Sequence, residues 1–303
     1  MAEEVYHIPA LLGPTIENLD IKENGIYIDA TLGGAGHTRA ILASLGENGR
    51  LYSFDQDIEA IERAPEDARL TTVHSNFKYI SNFADYYDIL GKVDGILADL
   101  GVSFHHFDDA ARGFSFRADG PLDMRMNTSA GTTAAQLIAD IDESTLSTYL
   151  LAYGELKQSR RIARRIVEER GKAPIDTTSR LVEVVKPVIS PAHEKKELAQ
   201  LFQALRIVVN HEMDALEKLL RSSVEVLRPG GRLAILTYHS LEDRLVKNFM
   251  RTGNLGGEEE KDIFGRSSSP LKPLSNKPVV PDAAEIEANP RSRSAKLRVA
   301  EKI

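Results

Sequence analysis

There is no cysteine among the 303 residues. Disulfides, zinc–thiolate sites, iron–sulfur clusters and thiol nucleophiles are therefore all excluded. No apolar run approaches the ~18 residues that a membrane span requires. The N-terminal string MAEEVYHIPALLG has neither a basic n-region nor an apolar h-region. With neither export nor anchor signalled, the cytoplasm is the expected compartment. His37, His106 and His239 lie near predicted strand ends, but their spacing matches no metal motif, and no metal is expected. A G-x-S-x-G elbow is also missing, which argues against a nucleophilic serine beside His239. No internal repeat occurs. The length still suffices for one large domain with an insertion.

What is present is organised around GIYIDATLGGAGHTRAIL, residues 25–42. Ile26, Tyr27 and Ile28 form a short apolar run closing on Asp29, which reads as a buried strand. Gly33, Gly34 and Gly36 follow at once, and an amphipathic stretch begins near His37. Strand, glycine-rich turn and helix in that order open a nucleotide-binding α/β domain. Glycine suits a turn that a ligand approaches closely, and the helix N-terminus beyond offers free N–H groups. A second strand, residues 50–54 (RLYSF), ends at Asp55, placed like the ribose-binding acid of dinucleotide folds. NAD and S-adenosylmethionine both carry that ribose. No G-x-G-x-x-G string occurs between Thr31 and His37, so the glycine pattern favours a ligand without a pyrophosphate, S-adenosylmethionine.

Two more strands are predicted, residues 70–77 and 93–100, ending at Phe77 and Asp99. In an open parallel sheet ligands sit beyond the carboxyl ends, so the segment from Gly33 through Gly34, Ala35 and Gly36 to His37 should meet Asp55, Phe77 and Asp99 at one crevice. After Gly101 the βα rhythm stops. Residues 103–126 read as ordered loop, followed by helical patterns at 133–138, 143–153, 155–170 and 179–185. A long helix over 202–227 returns the chain to the sheet, with a strand at 232–238 and a helix from His239 to Met250. Residues 251–276 read as a loop, and a last strand spans 295–300.

The net charge of −7 is unlike that of a nucleic-acid binder, but its distribution is uneven. Residues 55–67 are acidic, while segments near Arg160 and Arg291 are basic, and a local patch suffices to bind phosphates. Arg160, Arg161, Arg164 and Arg165 fall within about 140° of one helix face at ~100° per residue. Two readings are open for them: RNA contact, or a solvated face stitched by Arg164–Glu168 and Arg165–Glu169 pairs. Arg291, Arg293, Lys296 and Arg298 run into the last strand, and a charged edge strand explains part of the cluster; with few acids nearby in sequence, phosphate contact is the favoured reading.

The strings DATLGGAGH (29–37), ILADLGVS (96–103), RGFSFRADGPLDMRM (112–126), FQALRIVVN (202–210), YHSLEDRLVK (238–247) and NPRSRSAKLRVAEK (289–302) resemble the RsmH family, also called MraW. These are bacterial methyltransferases that use S-adenosylmethionine to methylate N4 of a cytosine at the decoding site of 16S rRNA. The resemblance implies a Rossmann-like class I methyltransferase sheet, residues 1–107 and 206–303, interrupted by a helical substrate-recognition domain, residues 108–205. It also implies S-adenosyl-L-methionine as cofactor and 16S rRNA or the small ribosomal subunit as partner, leaving the oligomeric state open. Cofactor contacts carried over by position are Ala35, Gly36 and His37, then Asp55, Phe77, Asp99 and His106. The chain departs from the family's usual string at residues 104–108, around His106. Asp99 can either accept a hydrogen bond from the target amine or bind the cofactor, and His239 is a second candidate base. The lack of cysteine bears on the reaction, because C5 methylation normally needs a thiolate adduct.

Overall fold

A computed structural model describes residues 9–101, 109–259 and 269–303. Seven strands form one sheet: β1 (Ile26–Asp29), β2 (Arg50–Asp55), β3 (Leu70–His74), β4 (Val93–Asp99), β5 (Leu227–Thr237), β6 (Leu271–Pro273) and β7 (Lys296–Lys302). Their order is β3-β2-β1-β4-β5-β7-β6. The first five pair in parallel, whereas β7 runs antiparallel to both β5 and β6.

The sequence of the central strands explains why both faces are covered. Successive residues of a strand point to opposite faces. Ile28, Phe54, Ile96, Ala98, Leu233 and Ile235 belong to one buried cluster, and Tyr27, Leu51, Leu97, Ala234 and Leu236 to another. Apolar side chains in both parities make a near-continuous run, the pattern of a parallel strand buried on both sides. Helices α1 (Leu12–Leu19) and α2 (Gly36–Ser44) contribute Leu19, Ile41 and Leu42 to the second cluster. The first is covered by the helices Ile80–Tyr86, Glu212–Val226 and Ser240–Thr252, through Ile80, Leu219 and Phe249. The chain therefore winds outward from β1 to β3 on one side and crosses back to β4, putting a topological switch point between β1 and β4.

The chain divides into two compact units, Met1–Gly101 with Met213–Ile303, and Val102–Glu212. The second unit has its own apolar core, with Ile138, Leu150, Ile162, Ile166, Leu181 and Leu205 fully buried. Its helices are Ala134–Asp140, Glu143–Gly154, Ser159–Arg170, Thr178–Val185 and Glu194–Asn210. Three have polar caps at their starts: Thr133 in a capping box with Gln136, Asp142 on Thr145 N–H, and Thr177 on Arg180 N–H.

Several elements differ from the expectation. The helix expected from 155 starts at Ser159, because Glu155 sits at φ 53 and closes the preceding helix. The single helix expected over 202–227 is two, broken at His211 with φ 51. Asn210 holds that break, its Nδ2 donating to Met124 O (2.8 Å) and its Oδ1 accepting from Met126 N–H (2.7 Å). Arg206 grips Glu212 across it through two hydrogen bonds of 2.8 Å. Along the chain the unit boundaries fall at 101/102 and 212/213. In the segment expected as loop, the helix continues through Thr252 and Leu271–Pro273 forms the edge strand β6. Among the described residues no helix is long and apolar enough to cross a membrane.

Candidate active site at the carboxyl edge of the sheet

Three strands of the first unit end in aspartate: β1 in Asp29, β2 in Asp55 and β4 in Asp99. A charged residue at the last position of a buried strand is held by whatever backbone and hydroxyl groups surround it, and each of the three is held differently.

Asp29 is fully buried. Its Oδ2 accepts from the Thr38 hydroxyl at 2.6 Å, its Oδ1 from Thr31 N–H at 3.1 Å, and the Thr38 hydroxyl also meets Ser53 Oγ at 3.1 Å. Burial pushes its carboxyl up to about 7 against those hydrogen bonds, and the charges of Asp99 and Asp55 push the same way. An acid whose folded value lies above its unfolded one carries its extra proton only in the folded state. Stability from this group is therefore full below about pH 4 and declines as pH rises to about 7. The span amounts to on the order of 4 kcal/mol. Asp29→Asn, which keeps an acceptor for Thr31 and a neutral charge, is expected to flatten that decline. Urea unfolding at pH 5 and pH 8 measures it; an equal decline in both proteins would clear Asp29 of the effect.

Asp55 accepts Gly33 N–H on Oδ2 at 2.9 Å and Asp57 N–H on Oδ1 at 2.8 Å. These two backbone donors fix the orientation of the carboxylate. Asn76 Nδ2 donates to Gln56 Oε1 at 2.8 Å, tying the ends of β2 and β3 together. Phe77 is not in the strand as expected. β3 stops at His74, and Phe77 opens a 3-10 turn capped by Asn76, half-buried against the first cluster.

At Asp99 the backbone N–H donates to Thr31 Oγ1 at 2.7 Å. The carboxyl accepts from the Tyr238 hydroxyl and Gly101 N–H, and burial pushes it up nonetheless. Its Oδ1 is buried without a hydrogen-bond partner among the described residues. His37, at the start of α2, stands with Nδ1 3.7 Å from Asp99 Oδ2 and is 5% exposed. Burial pushes the imidazole down, with Asp99 opposing, so the ring next to Asp99 is held toward neutrality.

The turn between β1 and α2 uses its glycines for three different reasons. Gly33 has φ +47, Gly34 would point a Cβ into open space, and a Cβ on Gly36 would lie 2.8 Å from the Pro9 ring. Nothing crowds the Cβ position at Gly33 or Gly34, which leaves room for a ligand beside the main chain. Gly36 is required by packing against Pro9. Ala35 takes φ 60, a left-handed conformation that costs a non-glycine residue about 1 kcal/mol. Gly34, Ala35, Gly36 and His37 share the edge with Asp55, Phe77 and Asp99 in one unit. His106 lies outside the described residues. A carboxylate oxygen without a partner among the described residues, two further carboxylates held by hydrogen bonds and an open glycine turn fit a cationic adenosine-bearing cofactor.

Tyr238 was not singled out from the sequence. It follows β5, and a Cβ on Gly101 would lie 2.8 Å from its ring, so a glycine across the sheet edge was its available signal. Its hydroxyl is pushed up by burial and by Asp99, which keeps it a donor. His239 caps the helix Ser240–Thr252. Its Nδ1 faces Glu242 N–H at 3.4 Å, its Nε2 lies 3.0 Å from Glu242 Oε1, and Glu242 Oε2 accepts from Tyr238 N–H at 2.9 Å. That is a capping box with histidine as the cap.

The two basic clusters differ. Lys296 and Arg298, expected on phosphates, are bound to Asp243, with Arg298 Nε 2.7 Å from Oδ1 and Lys296 Nζ 3.3 Å from Oδ2. Their acid came from a helix more than fifty residues earlier and was invisible in the local sequence. Arg160, Arg161 and Arg164 on Ser159–Arg170 are exposed.

A parallel sheet of order 3-2-1-4-5, an antiparallel strand inserted next to β5 and an acidic carboxyl edge define a Rossmann-like methyltransferase. The family model described as the MraW methylase family matches residues 4–303. The chain belongs to that family. It is 56% identical over 301 residues to the ribosomal RNA small subunit methyltransferase H of Parabacteroides distasonis, covering 99% of each chain. The protein of that name from Bacteroides thetaiotaomicron is 54% identical over 300 residues, covering 99% of this chain and 98% of its own. That from Christiangramia forsetii is 47% identical over 298 residues, covering 98% of both.

Proposed function

We propose that the protein methylates the exocyclic N4 of a cytidine in the decoding region of 16S rRNA, with S-adenosyl-L-methionine as methyl donor. The observation that carries the reading is Asp99: a half-buried carboxylate that accepts from Tyr238 and Gly101 and whose Oδ1 has no hydrogen-bond partner among the described residues. Such an oxygen is an acceptor waiting for an N–H, and an exocyclic amine brings one. Bound S-adenosylmethionine supplies an electrophilic methyl on a sulfonium.

The residues of the chain supply the rest. Asp55, oriented by the Gly33 and Asp57 N–H groups, would hold the ribose hydroxyls. Gly34 and Ala35 would let the cofactor lie against the main chain, His37 and Phe77 would flank it, and His106 is a further contact carried by the family resemblance. Asp99 Oδ1 accepts an N–H of the target amine and so orients the nitrogen lone pair toward the methyl. The same carboxylate offsets the cation's charge. His239, bound up with Glu242, serves through the position of Tyr238 and as a route for the released proton. The cytidine is taken as unstacked or single stranded, since N4 must reach a site at a sheet edge. The helical unit, residues 102–212, recognises the RNA substrate.

The small-subunit names of the relatives support the substrate, and the missing cysteine supports attack at nitrogen over carbon. Methyl-labelled cofactor incubated with naked 16S rRNA or with small subunits is expected to transfer label to the RNA of at least one. No transfer to either sinks the reading.

A further inference from the structure

We propose that the arginine face of the helix Ser159–Arg170 is a seat for the phosphate backbone of the RNA. The inference rests on the substrate reading above and locates where that substrate is held. Two adjoining grooves lie along this helix, of about 340 and 370 Å³. Arg160 and Arg161 line both; Arg164 and Arg165 continue the first, and Lys157 continues the second. Five cations on one stripe stand out in a chain of net charge −7.

A solvated face would pair these cations with carboxylates, and the pairing is incomplete. Glu143 reaches Arg164 only at 3.5 Å, between side chains 68% and 43% exposed. Glu169 takes Arg165 at 2.9 Å but is shared with Lys172 at 2.7 Å and Arg180 at 3.6 Å. Arg161 donates to Gln158, a neutral group, at 2.9 Å. Arg160 has no partner among the described residues, and Glu168, the pairing partner expected for Arg164, sits in the groove without an ion pair among them. The expected Arg164–Glu168 stitch does not form. Guanidinium groups left over in a groove match the bidentate geometry of phosphate, while the surplus of charge is what counterion release rewards. Arg165, 34% exposed and held by Glu169 and by Val184 O at 3.4 Å, fixes one wall.

The experiment measures binding of a 16S rRNA fragment by the full chain across a salt series, with cofactor affinity as the check on folding. The double variant Arg160→Ala/Arg164→Ala is expected to bind at least ~10-fold more weakly at low salt. Its log–log salt slope should be shallower by roughly 1.4–1.8, two phosphate contacts' worth. Cofactor affinity should not change. Glu168→Gln, which removes the one anion in the groove, is expected to bind RNA more tightly, a gain that misfolding cannot mimic. Should the wild type bind and methylate RNA while both variants leave affinity and slope unchanged, the stripe is a solvated face and the inference is overturned alone. A double variant that loses assembled subunits but keeps naked RNA would reassign the groove to an acidic protein, which also overturns it. If the wild type neither binds nor methylates RNA, the substrate reading fails and takes the groove with it.

Discussion

Asp99→Asn is expected to lower turnover at least ~100-fold, within the range general-base and acceptor groups supply. Cytosine N4 is a weak nucleophile because its lone pair is delocalised into the ring. As the methyl arrives, positive charge gathers on that nitrogen, and an anionic acceptor on its N–H stabilises the charge where a neutral amide does so poorly. Asparagine also offers an NH2 in place of one oxygen. With Tyr238 and Gly101 N–H donating on the other side, that NH2 meets either those donors or the target amine, and both contacts repel. Since burial pushes the Asp99 carboxyl up, turnover should rise with pH as the acid ionises. Single-turnover rates with saturating cofactor measure this directly. A variant within about threefold of the wild type would make Asp99 a mere strand end and remove the catalytic assignment.

The second large effect is expected at Asp55. Charge-assisted hydrogen bonds to two ribose hydroxyls are worth roughly 1.5–3 kcal/mol, so Asp55→Ala should weaken cofactor binding at least ~10-fold. Asp55 also holds Gly33 and Asp57 N–H groups, and alanine frees those as well. Asp55→Asn, which keeps one acceptor, should therefore fall between alanine and the wild type. Turnover at saturating cofactor should change far less than affinity, the reverse of Asp99. Titration calorimetry showing unchanged affinity in a folded Asp55→Ala protein would withdraw the ribose assignment.

The parts of this fold written in short range were legible in the sequence. β1, β2 and β4 stand where apolar runs close on an acid, and the glycine turn and α2 follow as the pattern implies. The parts set by distant partners were not. Nothing near Lys296 and Arg298 announces Asp243, which reaches them from another helix. The break at His211 depends on Asn210 meeting Met124 and Met126, some eighty residues upstream; helical periodicity runs through it unbroken. At the candidate site the acids were readable as strand-end residues, but their states were not. That Asp29 is pushed to about 7 while Asp55 rests on two backbone N–H groups follows from burial and from Thr38, Gly33 and Asp57 in three dimensions. Tyr238 shows its role only once β4 and β5 lie side by side.

The most direct measurement is the identity of the methylated nucleoside. Small-subunit rRNA is methylated with labelled cofactor, digested and separated, beside a parallel reaction on RNA carrying 5-fluorocytidine at the target. Label in N4-methylcytidine from the decoding region, with the fluorinated RNA methylated and released, is the expected result, since N4 needs alignment and an acceptor but no covalent adduct. Label in 5-methylcytidine, or a denaturant-resistant protein–RNA band with the fluorinated substrate, would contradict it.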